Sequence, residues 1–211
     1  MLPENYTALD PDFTTTSVPL RFSRKTTPKD YYHFAIQDLS IEPDTRSLVN
    51  ALSNTKRALH LQVEMLSTAF GLDKFSKKAK SFPAMVDFLS SCGLVTPRIL
   101  SKINKLRNLV EHEYHIPEKD EVENFIDVTE LFIAATEKYI KNFPCGIEFL
   151  AEAIDPNHPQ ISYVDLEPYE GVITFSHGLV ANTEGHDWEK SEIHAPDPAY
   201  FKWVKFIVDN S

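Results

Sequence analysis

The chain has 211 residues, a formal net charge of −10 and a hydrophobic content of 42%, with fourteen prolines and six glycines. This length and apolar content predict one compact domain with an appendage, or at most two small domains, and exclude a chain that is disordered throughout. No apolar run reaches the roughly 18 residues of a membrane-spanning helix, and the first residues, MLPENYTALD, do not resemble a secretory signal. We therefore expect a soluble, cytoplasmic protein that contacts no membrane.

Residues 1–27 contain threonines, prolines and scattered aromatic residues without a sustained period. This composition predicts an extended N-terminal arm with one short strand near 17–22. A helix is predicted over 28–39. Cys92 and Cys145 stand in unrelated contexts, which disfavours a disulfide scaffold or a cysteine-rich zinc site.

The middle of the chain has the apolar spacing of helices. Two apolar stripes predict a long helix over 44–70, and a short helix follows over 83–91. A threonine and a proline then mark the start of a third helix over 96–114. A last long helix, with acidic residues in its first turn, is predicted over 118–143. Together these segments predict an antiparallel bundle with short connections.

The C-terminal third has a different pattern. Short β-like runs at 161–166 and 171–176 flank a hairpin connection at 167–170. Residues 177–196 are polar and are predicted as loop, and 197–208 fit an amphipathic helix, with a closing strand as the alternative. Because the helical segments outnumber these β-like runs, the predicted fold class is mainly α.

Three parts make up the predicted organisation of the chain. Residues 1–27 form the N-terminal arm, and 28–143 form the helical bundle. Residues 144–211 form a smaller C-terminal α+β appendage with a β-hairpin and a terminal helix.

Charge is distributed unevenly along the chain. Residues 74–107 carry a net charge of +7, whereas 1–73 carry −2 and 108–211 carry −15. The basic segment can attract an anionic ligand despite the global acidity. A solvated helical face followed by a loop explains the same charges without any ligand, and both interpretations stay open.

A motif lies where the basic segment meets the acidic one. Arg107, Asn108, His112 and Tyr114 occur in the string LRNLVEHEYHIP and spell RNxxxHxY. This pattern resembles the signature of the HEPN family of all-α proteins. The flanking strings FLSSCGLVTPRILSKINKL and EVENFIDVTELFIAATEKYI are similar to the helices that precede and follow the motif in that family, so the resemblance covers about residues 44–143.

The resemblance implies a metal-independent endoribonuclease in which two protomers bring their motifs to one cleft of a homodimer. By this analogy Arg107 binds phosphate, His112 is the catalytic acid or base, Asn108 orients the pair, and Tyr114 supports substrate or is a modification site. No cofactor or metal is expected. We assign RNA binding to lysines of the basic segment: Lys77, Lys78, Lys102 and Lys105. The family further implies a toxin or phage-defence context, in some members with a nucleotidyltransferase antitoxin that adenylylates the motif tyrosine.

The residue types suit that chemistry. Histidine exchanges protons near neutral pH and can take the proton of a 2′-hydroxyl, and the arginine fork matches phosphate oxygens. A structural role is the alternative, because Arg107 can pair with Glu111 four residues on, and a histidine near a helix end favours the dipole. Glu111 and Glu113 also repel phosphate and can raise the pKa of His112.

Two metal-binding interpretations have little support. The string HExH at 112–115 is one residue shorter than the HExxH zinc motif. Several residues in the tail are of ligand type but have spacings that indicate no particular metal site, and a solvated loop explains them better: His177, His186, Asp187, Glu192 and His194. Two function classes therefore remain, an RNA-cleaving HEPN homodimer and a non-catalytic HEPN module that binds a protein or RNA partner.

Overall fold

The structure is a computed structural model. It describes residues 2–3, 12–23, 25–40, 43–75, 81–94, 117–149, 160–178 and 188–211. Within these ranges it contains six helices and five strands. The helix predicted over 96–114 lies outside the described residues.

The described helices are α1 Pro28–Leu39, α2 Thr45–Ala69, α3 Leu72–Phe75, α4 Phe82–Ser91, α5 Lys119–Lys141 and α6 Pro198–Asp209. Polar side chains cap most of their N-termini, where backbone N–H groups lack helical partners. Thr27 and Asp30 form a capping box at α1, with the Thr27 N–H donating to Asp30 Oδ2 at 2.7 Å. Asp44 accepts from the Ser47 N–H at 2.8 Å at the start of α2. The helices predicted over 28–39, 44–70, 83–91, 118–143 and 197–208 are thus confirmed, each within two residues at either end.

The strands are β1 Phe13–Val18, β2 Phe143–Phe149, β3 Gln160–Glu167, β4 Val172–Gly178 and β5 Glu189–His194. They form one antiparallel sheet in the order β1-β2-β3-β4-β5. Helices α1 to α5 lie between β1 and β2 in the sequence, although these two strands are neighbours in the sheet. The sheet therefore joins the two ends of the chain.

The helices and the sheet share one hydrophobic core. Helix α2 is central to the helical layer and packs against α1, α4 and α5. Helix α6 packs on the sheet, where the Trp203 ring lies 5.1 Å from that of Phe175 on β4. Phe70 at the end of α2 lies 4.7 Å from Phe143 at the start of β2. Apolar side chains thus run without a break from one layer to the other.

The predicted fold class is wrong. Of the described residues, 57% are helical and 22% are in strands, so the architecture is α+β with a substantial sheet instead of mainly α with a small appendage. The physical reason is that strands from both ends of the sequence pair with each other, and such long-range pairing leaves no local pattern.

Individual strand predictions had mixed outcomes. The two hairpin strands predicted at 161–166 and 171–176 are confirmed as β3 and β4. The N-terminal strand lies at Phe13–Val18 instead of 17–22, and β2 was not predicted. The predicted loop over 177–196 is wrong at Glu189–His194, which form β5.

None of the described helices combines the length with the apolar character that crossing a membrane requires.

Candidate functional site

All the predicted site residues lie in two segments, 76–80 and 95–116, that are outside the described residues. These residues are Arg107, Asn108, His112, Tyr114, Lys77, Lys78, Lys102 and Lys105. The structure does describe the residues that hold both ends of the motif segment 95–116. The candidate site is therefore built from its two anchors.

The first anchor lies at the end of α4, immediately before the motif segment. The Leu94 N–H donates to the Leu89 carbonyl at 3.1 Å, and the Leu94 side chain packs against the core. Gly93 has a φ of +80°, which glycine adopts without strain. A Cβ on Gly93 would lie 2.9 Å from Lys205 Cγ, so α6 closely approaches this turn. The motif segment thus begins at a turn that follows α4 and lies against α6.

The second anchor lies at the start of α5, immediately after the motif segment. Pro117 is buried, and the Glu118 N–H donates to Glu121 Oε2 at 3.0 Å. One turn further, Val122 is fully buried in the core. The chain therefore leaves the motif segment at a fixed helix start in the same helical layer.

The second anchor is acidic. Glu118 and Asp120 are exposed, and Glu121 is half-buried. Lys119 pairs with Glu123 at 3.4 Å and so neutralises a carboxylate further along α5. Carboxylates at a helix N-terminus favour the dipole, but they repel an approaching phosphate.

The basic segment begins with a lysine that is already paired. Lys74 Nζ lies 2.7 Å from Glu170 Oε2 in the turn between β3 and β4. Both side chains are about half exposed, so this ion pair contributes little to stability. Lys74 is therefore not among the lysines to which we assign RNA binding, which are Lys77, Lys78, Lys102 and Lys105.

A pocket of about 260 Å³ lies between α1 and α5. It is lined by Lys29, Tyr32, His33, Glu130, Ile133, Ala134 and Glu137. Lys29 Nζ lies 2.7 Å from Glu137 Oε1. The ammonium groups of Lys29 and Lys141 lower the pKa of Glu137. Burial and the neighbouring Glu130 raise the pKa of Tyr32. Lys29 and Glu137 thus pair with each other in this pocket, as do Tyr32 and Glu130.

A second polar cluster lies on the sheet around Gly146. A Cβ on Gly146 would lie 2.8 Å from Thr16 Oγ1 and 3.3 Å from Tyr163 Oη. Thr16 Oγ1 is 3.5 Å from Cys145 Sγ, and Tyr163 Oη donates to Asp165 Oδ1 at 3.2 Å. Sequence reasoning missed this cluster because it depends on the register of β2, which was not predicted. The alternation of Tyr163 and Asp165 along one strand was the available signal.

The chemistry of this cluster is limited by its charge. Burial and the nearby Asp165 raise the pKa of Tyr163 to about 12, and burial raises the pKa of Asp165. The cluster can exchange hydrogen bonds among its own side chains. Elsewhere in the core, Cys92 is a poor nucleophile, because burial raises the pKa of its thiol.

Within the described ranges, no three His, Cys, Asp or Glu side chains come together as metal ligands. In the backbone register, His177 lies opposite Glu189 at one end of the β4–β5 pair, and His194 lies opposite Val172 at the other end. The structure thus separates two of the tail histidines, while His186, Asp187 and the HExH string lie outside the described residues.

Comparisons with protein-family models, with curated proteins and with solved structures found no match to this chain.

Proposed function

We propose that this chain is a HEPN-type, metal-independent endoribonuclease that acts as a homodimer in the cytoplasm, in a toxin or phage-defence setting. The observation that carries the proposal is the RNxxxHxY motif at Arg107–Tyr114. Two structural facts are compatible with it. Leu94 and Pro117, which flank the motif segment, are both held in the helical layer, and α2, α4 and α5 belong to one packed core.

In the proposed reaction His112 takes the proton of a ribose 2′-hydroxyl, and the resulting oxygen attacks the adjacent phosphorus. Arg107 binds the phosphate oxygens, on which negative charge accumulates. Asn108 orients these two side chains, and Tyr114 contacts the substrate. The bond to the 5′-oxygen then breaks, and this oxygen takes a proton from a protonated histidine, which the second protomer can provide.

The test is RNA cleavage by the purified full chain in EDTA, between about pH 5 and 8, where histidine titrates. We expect cleavage by the wild type and its loss in His112→Ala and in Arg107→Ala. The matched control is His194→Ala, which removes an exposed histidine of β5 and leaves cleavage unchanged. Intact RNA with the wild type at every pH would contradict the proposal, as would equal cleavage by His112→Ala.

A second candidate function is a non-catalytic HEPN module that binds a partner. It is favoured by the carboxylates near the motif, since Glu111 and Glu113 flank His112 and the exposed Glu118 and Asp120 follow. These carboxylates disfavour RNA. The same assay separates the two functions, because a non-catalytic module leaves RNA intact.

A regulated form of the enzyme lies between these candidates. In it, a nucleotidyltransferase partner adenylylates Tyr114 and so blocks the RNA site. Co-expression with such a partner, followed by intact-mass measurement, tests this form. The Tyr114→Phe variant is expected to remain unmodified.

A further inference from the structure

Strand β1 forms one edge of the sheet. It consists of the residues FTTTSV and, among the described strands, pairs only with β2. The register gives a row of residues facing the helices across the sheet: Thr15, Ile147, Val164, Phe175 and Ser191. The three central members of the row are fully buried, whereas Thr15 is exposed. Within the part of the chain that the structure describes, the helical layer thus covers the middle of the sheet and leaves β1 open.

The two edges of the sheet differ in charge. The opposite edge, β5, has the sequence EKSEIH, and its Glu189, Lys190 and Glu192 are exposed. Charged side chains on an edge strand are a common protection against pairing with another chain. Strand β1 has no charged residue in six positions. The extra residue of the bulge, Cys145, belongs to β2, so β1 itself is regular.

The described residues on either side of β1 are held by helices. Before it, Pro3 lies beside α6, where it lines a pocket with Phe206, and the Phe13 ring lies 6.5 Å from that of Phe206. After it, the Leu20 N–H donates to the Ile140 carbonyl of α5 at 3.0 Å. Among the described residues, Pro3 and Leu20 therefore contact helices on either side of β1.

We propose that β1 pairs in antiparallel orientation with β1 of a second copy, so that five strands from each copy form one sheet. A strand of threonine and serine is complementary to itself, because cross-strand hydroxyl pairs are favourable. Charge restricts where a second copy can bind. Two chains of net charge −10 repel each other, and β1 offers a contact that adds no charge of either sign.

The symmetry of this pairing has a consequence for the helices. Antiparallel edge pairing of identical strands requires a two-fold axis perpendicular to the sheet. Such an axis keeps both helical layers on the same side of the continuous sheet. The described residues that flank the motif segment, Leu94 and Pro117, would then be on that same side. This inference does not depend on the proposed ribonuclease activity.

Sedimentation velocity on the full chain, between about 1 and 100 µM, tests the pairing. We expect the wild type to dimerise. The Thr15→Lys variant places like charges close to the two-fold axis, so we expect its dissociation constant to rise at least roughly tenfold. The matched control is Thr174→Lys, which adds the same charge to the interior strand β4 and leaves the dimer unchanged. Far-UV circular dichroism checks that both variants are folded.

Crosslinking distinguishes β1 from other contacts. Thr15→Cys with a short bismaleimide is expected to yield a covalent dimer, whereas Thr174→Cys yields none, and the wild-type thiols are buried. A wild type that is monomeric throughout the concentration range overturns the inference. A dimer that persists in Thr15→Lys, and whose Thr15→Cys variant fails to crosslink, also overturns the inference. If that dimer still cleaves RNA, the proposed function is retained without the inference. Absence of cleavage in a chain that does pair through β1 contradicts the proposed function and leaves this inference in place.

Discussion

Two glycines set the distance between the helical layer and the sheet. Gly71 ends α2 with a φ of +89°, and Gly171 lies in the turn between β3 and β4 with a φ of +65°. A Cβ on Gly71 would lie 2.1 Å from Gly171 Cα. The backbones also bond here, because the Tyr169 N–H donates to the Ala69 carbonyl at 2.8 Å. Only a residue without a side chain fits at this contact.

We expect Gly71→Ala to lower the free energy of unfolding by about 3 kcal/mol, since it combines a left-handed backbone with an overlap against another backbone. Urea denaturation followed by circular dichroism measures the loss. Gly93→Ala is the matched control. It has a similar φ, but its Cβ meets the flexible Lys205 side chain, so we expect a loss of about 1 kcal/mol. Equal losses in the two variants would contradict this explanation.

Helix α6 connects the sheet to the helical layer. Its inward side chains are buried: Tyr200, Trp203, Val204, Ile207 and Val208. The Tyr200 hydroxyl donates to the Phe70 carbonyl at the end of α2 at 2.7 Å. The next residue, Phe201, lies 5.7 Å from Phe88 of α4. The helix is therefore part of the common core.

Trp203→Ala removes a fully buried ring from that core. We expect it to lower the free energy of unfolding by about 3 to 5 kcal/mol. Because the two layers share one core, the helical and sheet signals should be lost in one transition. Lys202→Ala, on the exposed side of the same helix, is expected to change stability by less than about 0.5 kcal/mol. Retention of α2 after the sheet has unfolded would show that the layers are independent.

At the level of elements, five of the six described helices and the β3–β4 hairpin could be predicted from the sequence, whereas β2 and β5 could not. Local signals mark α1, where Thr27 and Asp30 form a capping box before an amphipathic run. The β3–β4 hairpin is also local. In contrast, the position of β1 depends on its pairing with β2, which is about 130 residues away in the sequence.

The charge of the whole molecule constrains any RNA interaction. The +7 segment ends at Arg107, and its first lysine, Lys74, is paired with Glu170. The surrounding chain is acidic. Binding through the remaining bases would therefore be electrostatic and sensitive to salt.

We expect the affinity for single-stranded RNA to fall steeply with salt. Five phosphate contacts, from the four proposed lysines and Arg107, predict a slope of about −3.5 in log affinity against log salt concentration. Removing Lys102 and Lys105 together should reduce the slope by about 1.4. Fluorescence anisotropy with His112→Ala, which is expected not to cut the RNA, provides the measurement. The control is the double variant Lys25→Ala and Lys190→Ala, which should leave the slope unchanged. If the control lowers the slope as much as removing Lys102 and Lys105 does, the assignment is contradicted.

The sequence by itself determined the bounds of five described helices to within two residues, the position of the motif and the charge reversal beside it, because these depend on neighbours a few residues apart. Only the tertiary structure decided that the protein is α+β and that α6 and the Gly71–Gly171 contact join the layers. It also decided that β1 is an uncharged edge. These features depend on pairing and packing between residues far apart in the sequence, and such contacts become visible only when the chain is folded.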